Sequence, residues 1–249
     1  MVFWDANCSY GTVKVPLPGV DYSLSGLLRR MEEYGIEKAL VYHSTAKEHD
    51  AAVGNRRLME ETAGHSQIMP VWTLLPHHAG EMEKPDVLVE NMLKAGVKAA
   101  TMFPSAAMHN FSAKRWSIGP LLDALAERRI PLIMGIEQLG GMEGLGEFAM
   151  ENPNLAIIAT NVHYRVDRIL YALMDKAPNL YIETSFYKSH FGLQEFAQRF
   201  GTDHLVFGSC MPSVDPAASA AVVTWSGLKD DEKEAIAHGN LERLLGEVR

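Results

Sequence analysis

Eight short apolar runs, each followed by a stretch with helical character, recur at roughly 30-residue spacing, the length of one strand–helix–strand unit. The runs are Val2–Asp5, Ala39–Tyr42, Ile68–Leu75, Val97–Phe103, Pro131–Ile136, Leu155–Thr160, Leu180–Thr184 and His204–Gly208. Most are apolar almost throughout, as strands are when both of their faces are covered. Helices are expected over 24–34, 50–64, 86–95, 120–129, 142–150, 166–176 and 193–200, and two more over 216–225 and 232–245. Ser23 or Ser25 can cap the first, and Leu24, Leu27, Leu28, Met31 and Tyr34 share one of its faces. This alternation predicts an α/β chain with a parallel sheet. Eight units in 249 residues, with no Pro/Ser/Gly-rich break between them, favour one closed (β/α)8 TIM barrel over residues 1–249. An open, doubly wound sheet is the structural alternative.

Composition narrows the function classes. The formal net charge is −8 and Lys and Arg are scattered, which argues against nucleic acid and anionic membranes as partners. No apolar run approaches the length of a membrane span. The start, Met1-Val2-Phe3-Trp4-Asp5, has no basic region followed by an apolar one, so a cytoplasmic protein is expected. Two cysteines make no disulfide framework. The expected partner is a small-molecule ligand, and a homodimer is compatible with the barrel.

In a barrel, the residues just past each strand crowd round one mouth. That set is polar here: Asp5, Asn7, Cys8, Ser9, His43, Glu137, Asn161, His163, Glu183, Ser185 and Cys210. Several polar groups brought together away from water must pair with one another or bind something. The segment Leu205-Val206-Phe207-Gly208-Ser209-Cys210-Met211-Pro212 presents Cys210 at a strand end, as a nucleophile if His43 or His163 reaches it, or as plain packing. Glu137 stands beyond an apolar strand, where burial would raise its pKa for acid–base work; a carboxylate paired to a donor is the plainer reading. Phe111 and Trp116 are candidate walls of a pocket, although aromatic residues are more often core. There is no HExxH, CxxC or HxH, and His77-His78 follows a proline in a loop. Gly144-Leu145-Gly146-Glu147-Phe148-Ala149 matches G-x-G-x-x-A only weakly and reads as a loop leading into a helix.

Three segments carry a resemblance to a known family. They are Asp5-Ala6-Asn7-Cys8-Ser9-Tyr10-Gly11 near the start, Pro131-Leu132-Ile133-Met134, and a last third containing Pro178–Ser185, Phe207-Gly208-Ser209 and Asn240–Gly246. Together they resemble the amidohydrolase-related (amidohydrolase 2) family of metal-dependent (β/α)8 hydrolases and decarboxylases. The resemblance implies metal ligands at places that hold Asn7, Ser9, Gly135, Asn161 and Cys210 in this chain. Neutral Asn and Ser are poor zinc ligands beside imidazole or carboxylate. No standard cofactor is therefore expected, and a zinc-like divalent metal would need a non-standard site.

The resemblance implies hydrolysis of a C–N or ester bond in a small polar or carboxylated metabolite, with lyase or decarboxylase-like chemistry as the alternative. In that reading Glu137, His163 and His43 act as acid and base, Cys210 serves as nucleophile, and Asp5, Asn7, Asn161, Phe111 and Trp116 hold the substrate. Two further readings stand beside it. One is a catalytically silent barrel that binds a ligand through Asn7, Asn161 and Ser209; the other is a partner-binding face on the outside of the barrel.

Overall fold

The computed structural model describes residues 1–249. The chain runs β1 (Phe3–Tyr10), α1 (Leu24–Glu33), β2 (Ile36–His43), α2 (Ser44–Glu48), α3 (Ala51–Glu61), β3 (Ile68–Thr73), α4 (Pro85–Lys94), β4 (Ala99–Thr101) and α5 (Arg115–Glu127). It continues through β5 (Leu132–Gly135), α6 (Met142–Glu151), β6 (Ile157–Thr160), α7 (Asp167–Met174), β7 (Leu180–Glu183), α8 (Gly192–Phe200), β8 (Leu205–Val206), α9 (Pro216–Thr224), α10 (Asp230–Glu234) and α11 (Asn240–Gly246). The strands pair in parallel in sequence order from β1 to β8. Closure comes from the segment after β8. Ala6 N–H donates to Phe207 O and Ser9 N–H to Met211 O, each at 2.9 Å, and Cys8 bridges Met211 in parallel. The expected (β/α)8 barrel is the observed one.

Two apolar layers explain why the runs are apolar on both faces. Inside the barrel sit Ala6, Leu40, Val71, Ala99, Ile133, Ile158 and Val206, one from each strand except β7, whose Tyr181 packs beside them. Leu241, Leu244 and Leu245 of α11 join this inner cluster. They lie with Trp4, Met69 and Tyr181 at the amino-terminal ends of their strands, so the last helix plugs the bottom. A larger core of 50 buried residues fills the space between strands and outer helices.

Because side chains alternate across a strand, the next inward position on each is two residues on. For β2 to β7 these are Tyr42, Thr73, Thr101, Gly135, Thr160 and Glu183, and just past β8 stands Gly208. The inner layer turns from apolar to polar at the carboxyl ends of the strands, and that change positions the site.

Four local expectations need correction. β1 continues to Tyr10, so Asn7, Cys8 and Ser9 lie within the strand; a register shift between Asp5 and Cys8 absorbs the misfit with β2. Helix α5 starts at Arg115 and carries Pro120 inside it. Proline has no N–H for the carbonyl four residues back, but that carbonyl belongs to Trp116, in the exposed first turn where water can serve it. Helix α2 is five residues long, too short to register as a periodic pattern. The last helix is broken by a π turn at Ala235–Gly239, where the Ile236 carbonyl accepts the Phe207 N–H at 2.9 Å.

Candidate active site

Two buried carboxyl groups anchor one side of the mouth. Asp5 and Glu183 both have no exposed surface. Asp5 Oδ1 accepts the N–H of Asn7 at 2.9 Å and of Ser209 at 3.1 Å, while its Oδ2 has no partner. Glu183 Oε2 accepts the Asn7 side-chain amide at 3.0 Å and the Ser185 hydroxyl at 2.7 Å. Its Oε1 accepts the Ser185 N–H. The carboxylate occupies the space where a Cβ on Gly208 would stand, which is why a glycine follows β8 there. Burial pushes the Glu183 carboxyl up to about 7; Ser185 and Asn7 pull it down, and the Asp5 charge adds to the rise. Burial raises Asp5 as well, against the pull of Ser209, Asn7 and Cys8. The Asp5 charge thus disfavours that of Glu183, which is present in both protonation states near neutral pH.

The rest of the mouth is built on Tyr42, Lys47 and Glu137, with Cys210 beside the buried carboxyls after Ser209. Tyr42 faces inward from β2, and burial lifts its phenol while Lys47 lowers it. Lys47, on α2, stands over the Phe103 ring at 5.2 Å. Tyr42, then Glu137, Cys210 and Glu48, hold its ammonium charged against the burial that opposes it. Cys210 sits in the left-handed region at φ 61°. Burial first, then the Glu183 and Asp5 charges, push its thiol up to about 12. Cys210 is thus a protonated thiol at neutral pH, not the activated nucleophile the sequence suggested. Lys188, after β7, is lowered by burial although Glu183, Cys210 and Asp215 pull the other way.

Several sequence candidates fall elsewhere or differ in environment. Glu137 is exposed rather than buried; it lies on a 3-10 turn, Ile136–Leu139. It accepts the Asn161 side-chain amide at 2.7 Å and that of Gln138 at 3.2 Å. Asn161 adopts φ 63° to present that amide. His43 is 4% exposed and caps α2: its Nδ1 accepts the Thr45 N–H at 3.1 Å. Its other nitrogen lies 3.8 Å from Glu61, outside the mouth. His163 caps a 3-10 turn, accepting the Arg165 N–H at 3.2 Å. Neither histidine is placed beside Cys210. Phe111 packs on the outer core and lines a cavity of about 350 Å³ with Pro104, Gln138, Leu139 and Phe148, on the α6 side. Trp116 is 80% exposed and walls nothing.

The sequence reading missed Tyr42 and Lys47. Tyr42 was legible, since it sits two residues after the inward Leu40. Lys47 carried no signal, because it depends on a turn of helix too short to show in the pattern.

The residues at the mouth do not fit a divalent metal of the kind the resemblance implied. No three His, Cys, Asp or Glu side chains converge to hold an ion. Asn7 is engaged by Glu183 and Asn161 by Glu137. At Gly135, where the resemblance implies a ligand, the Glu137 carboxylate fills the space of a Cβ.

No protein-family profile matches the sequence, and no curated protein matches it in sequence. Solved structures do match in shape. An uncharacterised TIM-barrel protein from Bordetella bronchiseptica superposes with a TM-score of 0.73 at 18% identity, covering 99% of each chain. A protein from Staphylococcus aureus provisionally named an amidohydrolase gives 0.73 at 14% identity, covering 99% of this chain and 100% of that one. A dihydroxybenzoic acid decarboxylase from Polaromonas, solved with manganese and 2-nitroresorcinol, gives 0.69 at 14% identity, covering 98% and 97%. At these identities the likeness establishes architecture: this chain is a (β/α)8 barrel of the shape shared by amidohydrolase-related proteins and decarboxylases.

Proposed function

We propose that this barrel is an amidohydrolase-related enzyme that carries out acid–base chemistry on a small polar metabolite at its mouth, with Glu183 as the proton-carrying group. One observation carries the reading: a fully buried carboxyl group at a strand's carboxyl end, its pKa moved to about 7. A group poised near the working pH is present in both protonation states and can give or take a proton at low cost. The three donors from Ser185 and Asn7 hold it in one orientation. Asn7 and Cys210, half-buried, form the face that a substrate meets first.

For hydrolysis of a C–N or ester bond, Glu183 takes the proton of the attacking water. It then returns it to the departing nitrogen or oxygen. For a lyase or decarboxylase, the protonated carboxyl supplies the proton that replaces the departing group. The second reading is favoured by the decarboxylases among the similar structures. It is also favoured by the burial that keeps Glu183 protonated at mildly acid pH.

A panel of small amides, esters and aromatic carboxylates, assayed with wild type and Glu183→Gln, tests both. Turnover that falls by two orders of magnitude or more (about 3 kcal/mol of barrel-mouth catalysis) in the Gln variant is expected. Equal turnover in the two proteins would remove Glu183 from the chemistry.

A further inference from the structure

We infer that the fixed positive charge of this mouth is the Lys47 ammonium, serving where metal-dependent barrels of this shape use a divalent ion. The inference rests on the mouth being the working site, as proposed above. Its test reads ion binding rather than turnover, so the two can fail separately.

The donor set argues one half. Three of the five implied ligand positions are already engaged or absent: Asn7 on Glu183, Asn161 on Glu137, and no side chain at Gly135. The two remaining positions offer one thiol, Cys210, and one neutral hydroxyl, Ser9, and no three His, Cys, Asp or Glu side chains converge there to hold an ion. A divalent ion would have to displace hydrogen bonds that the barrel has built between its own strands and take up neutral oxygens in exchange.

The placement of Lys47 argues the other half. It is half-buried, the Phe103 ring beside it packs on Tyr42 at 5.4 Å, and Tyr42, Glu137 and Cys210 lie close enough to act on its charge. These groups come from β2, from the turn after β5 and from the segment after β8, so they meet only at the mouth. Helix α2 is fixed at three points. His43 caps it, the Ser44 hydroxyl donates to Thr12 O at 2.8 Å, and Gly54 of α3 packs so close to Ala46 that a Cβ would collide with its backbone. The Phe103 ring lies under the ammonium at 5.2 Å, an arrangement that favours a cation. The Lys47 ammonium forms none of the ion pairs in the structure. A charged, positioned and unpaired ammonium near Glu137 does what a resident cation does: it offsets that charge and offers its own to an anionic group of a ligand.

Isothermal titration calorimetry of the full chain, stripped with chelator and dialysed, with zinc chloride and with manganese chloride tests this. Wild type and Lys47→Arg are expected to show no saturable binding. Lys47→Met, which leaves Glu137 without the ammonium near it, is expected to bind at least about tenfold more tightly than wild type. Circular dichroism establishes that the Met variant is folded, and if it is not, the wild-type titration decides alone. One tightly held ion per wild-type chain, or a folded Lys47→Met protein no better at holding one than wild type, overturns the inference.

Discussion

Asn7 and Glu183 stand 176 positions apart in the chain and meet across the barrel mouth, the Asn7 amide donating to Glu183 Oε2 at 3.0 Å. The bond ties β1 to β7 through a carboxyl group that burial has pushed from 4.5 up to about 7. The folded chain therefore holds the Glu183 proton more tightly than the unfolded chain does. The stabilisation this contributes is complete below pH 4.5 and is lost as pH rises through 7. Its size is on the order of 3 kcal/mol. Glu183→Gln has no proton to lose, so its stability relative to wild type should improve by that order as pH rises across the window. Urea unfolding of both proteins at several pH values checks this; other titrating groups cancel in the difference. Parallel curves would mean that Glu183 titrates as an ordinary carboxyl.

Cys210 is half-buried and beside two carboxyl groups, and its thiol is pushed up to about 12. Alkylation runs through the thiolate, whose fraction falls tenfold for each unit that pKa stands above pH. Iodoacetamide at neutral pH should therefore label Cys210 at least about a hundredfold more slowly than an exposed, ordinary thiol of pKa near 8.5. Cys8, fully buried and with its thiol also raised by burial and Asp5, should stay unlabelled until the protein unfolds. Peptide mass spectrometry over time reads both, and rapid labelling at Cys210 would restore it as a nucleophile.

Two glycines at strand ends make room for carboxylates, but for different ones. A Cβ on Gly208 meets Glu183, which is buried and held by three donors. A Cβ on Gly135 meets Glu137, which is exposed and held only by the Asn161 and Gln138 side-chain amides. Gly208→Ala should cost about 1–3 kcal/mol, as overpacking of a fixed interior does, and Gly135→Ala clearly less. Because the Gly208 collision is with one side chain, Glu183→Ala combined with Gly208→Ala should cost less than the sum of the two. Denaturation midpoints of the four variants decide it; additive effects would show that the crowding lies elsewhere.

His43 acts on the backbone of α2. Burial lowers its pKa, against the pull of Glu61, and its neutral Nδ1 accepts the Thr45 N–H. The stability it contributes is present above its unfolded value of 6.5 and is lost as pH falls through its lower folded value. His43→Ala should cost about 1–2 kcal/mol through the missing cap, and Asn, which caps well, should recover part of it. Catalysis assayed on any substrate the panel yields should survive in His43→Asn. A large loss of turnover with stability intact would return His43 to the chemistry.

The barrel itself was legible because it is a repetitive pattern. Eight apolar runs of strand length, covered on both faces, can be satisfied by few architectures, and the helices between them fell within a few residues of their expected places. Asn161 and Cys210 were legible as groups just past a strand by the same logic, whereas Asp5 and Asn7 lie within β1, which runs on to Tyr10. Glu183 was legible as well, because period-two alternation from Tyr181 turns it inward.

The chain's pattern determined which residues would be carried to one end of a barrel, since that depends only on where each strand stops. Which of them face one another was decided by the tertiary structure. The stagger of closure brought Asn7 to Glu183, a one-turn helix swung Lys47 over Phe103, and local capping drew His43 and His163 away. These outcomes depend on distances between strands far apart in the chain and on competition with nearby backbone donors. Neither leaves a periodic trace in the order of residues, because contacts between distant segments are set by packing rather than by spacing.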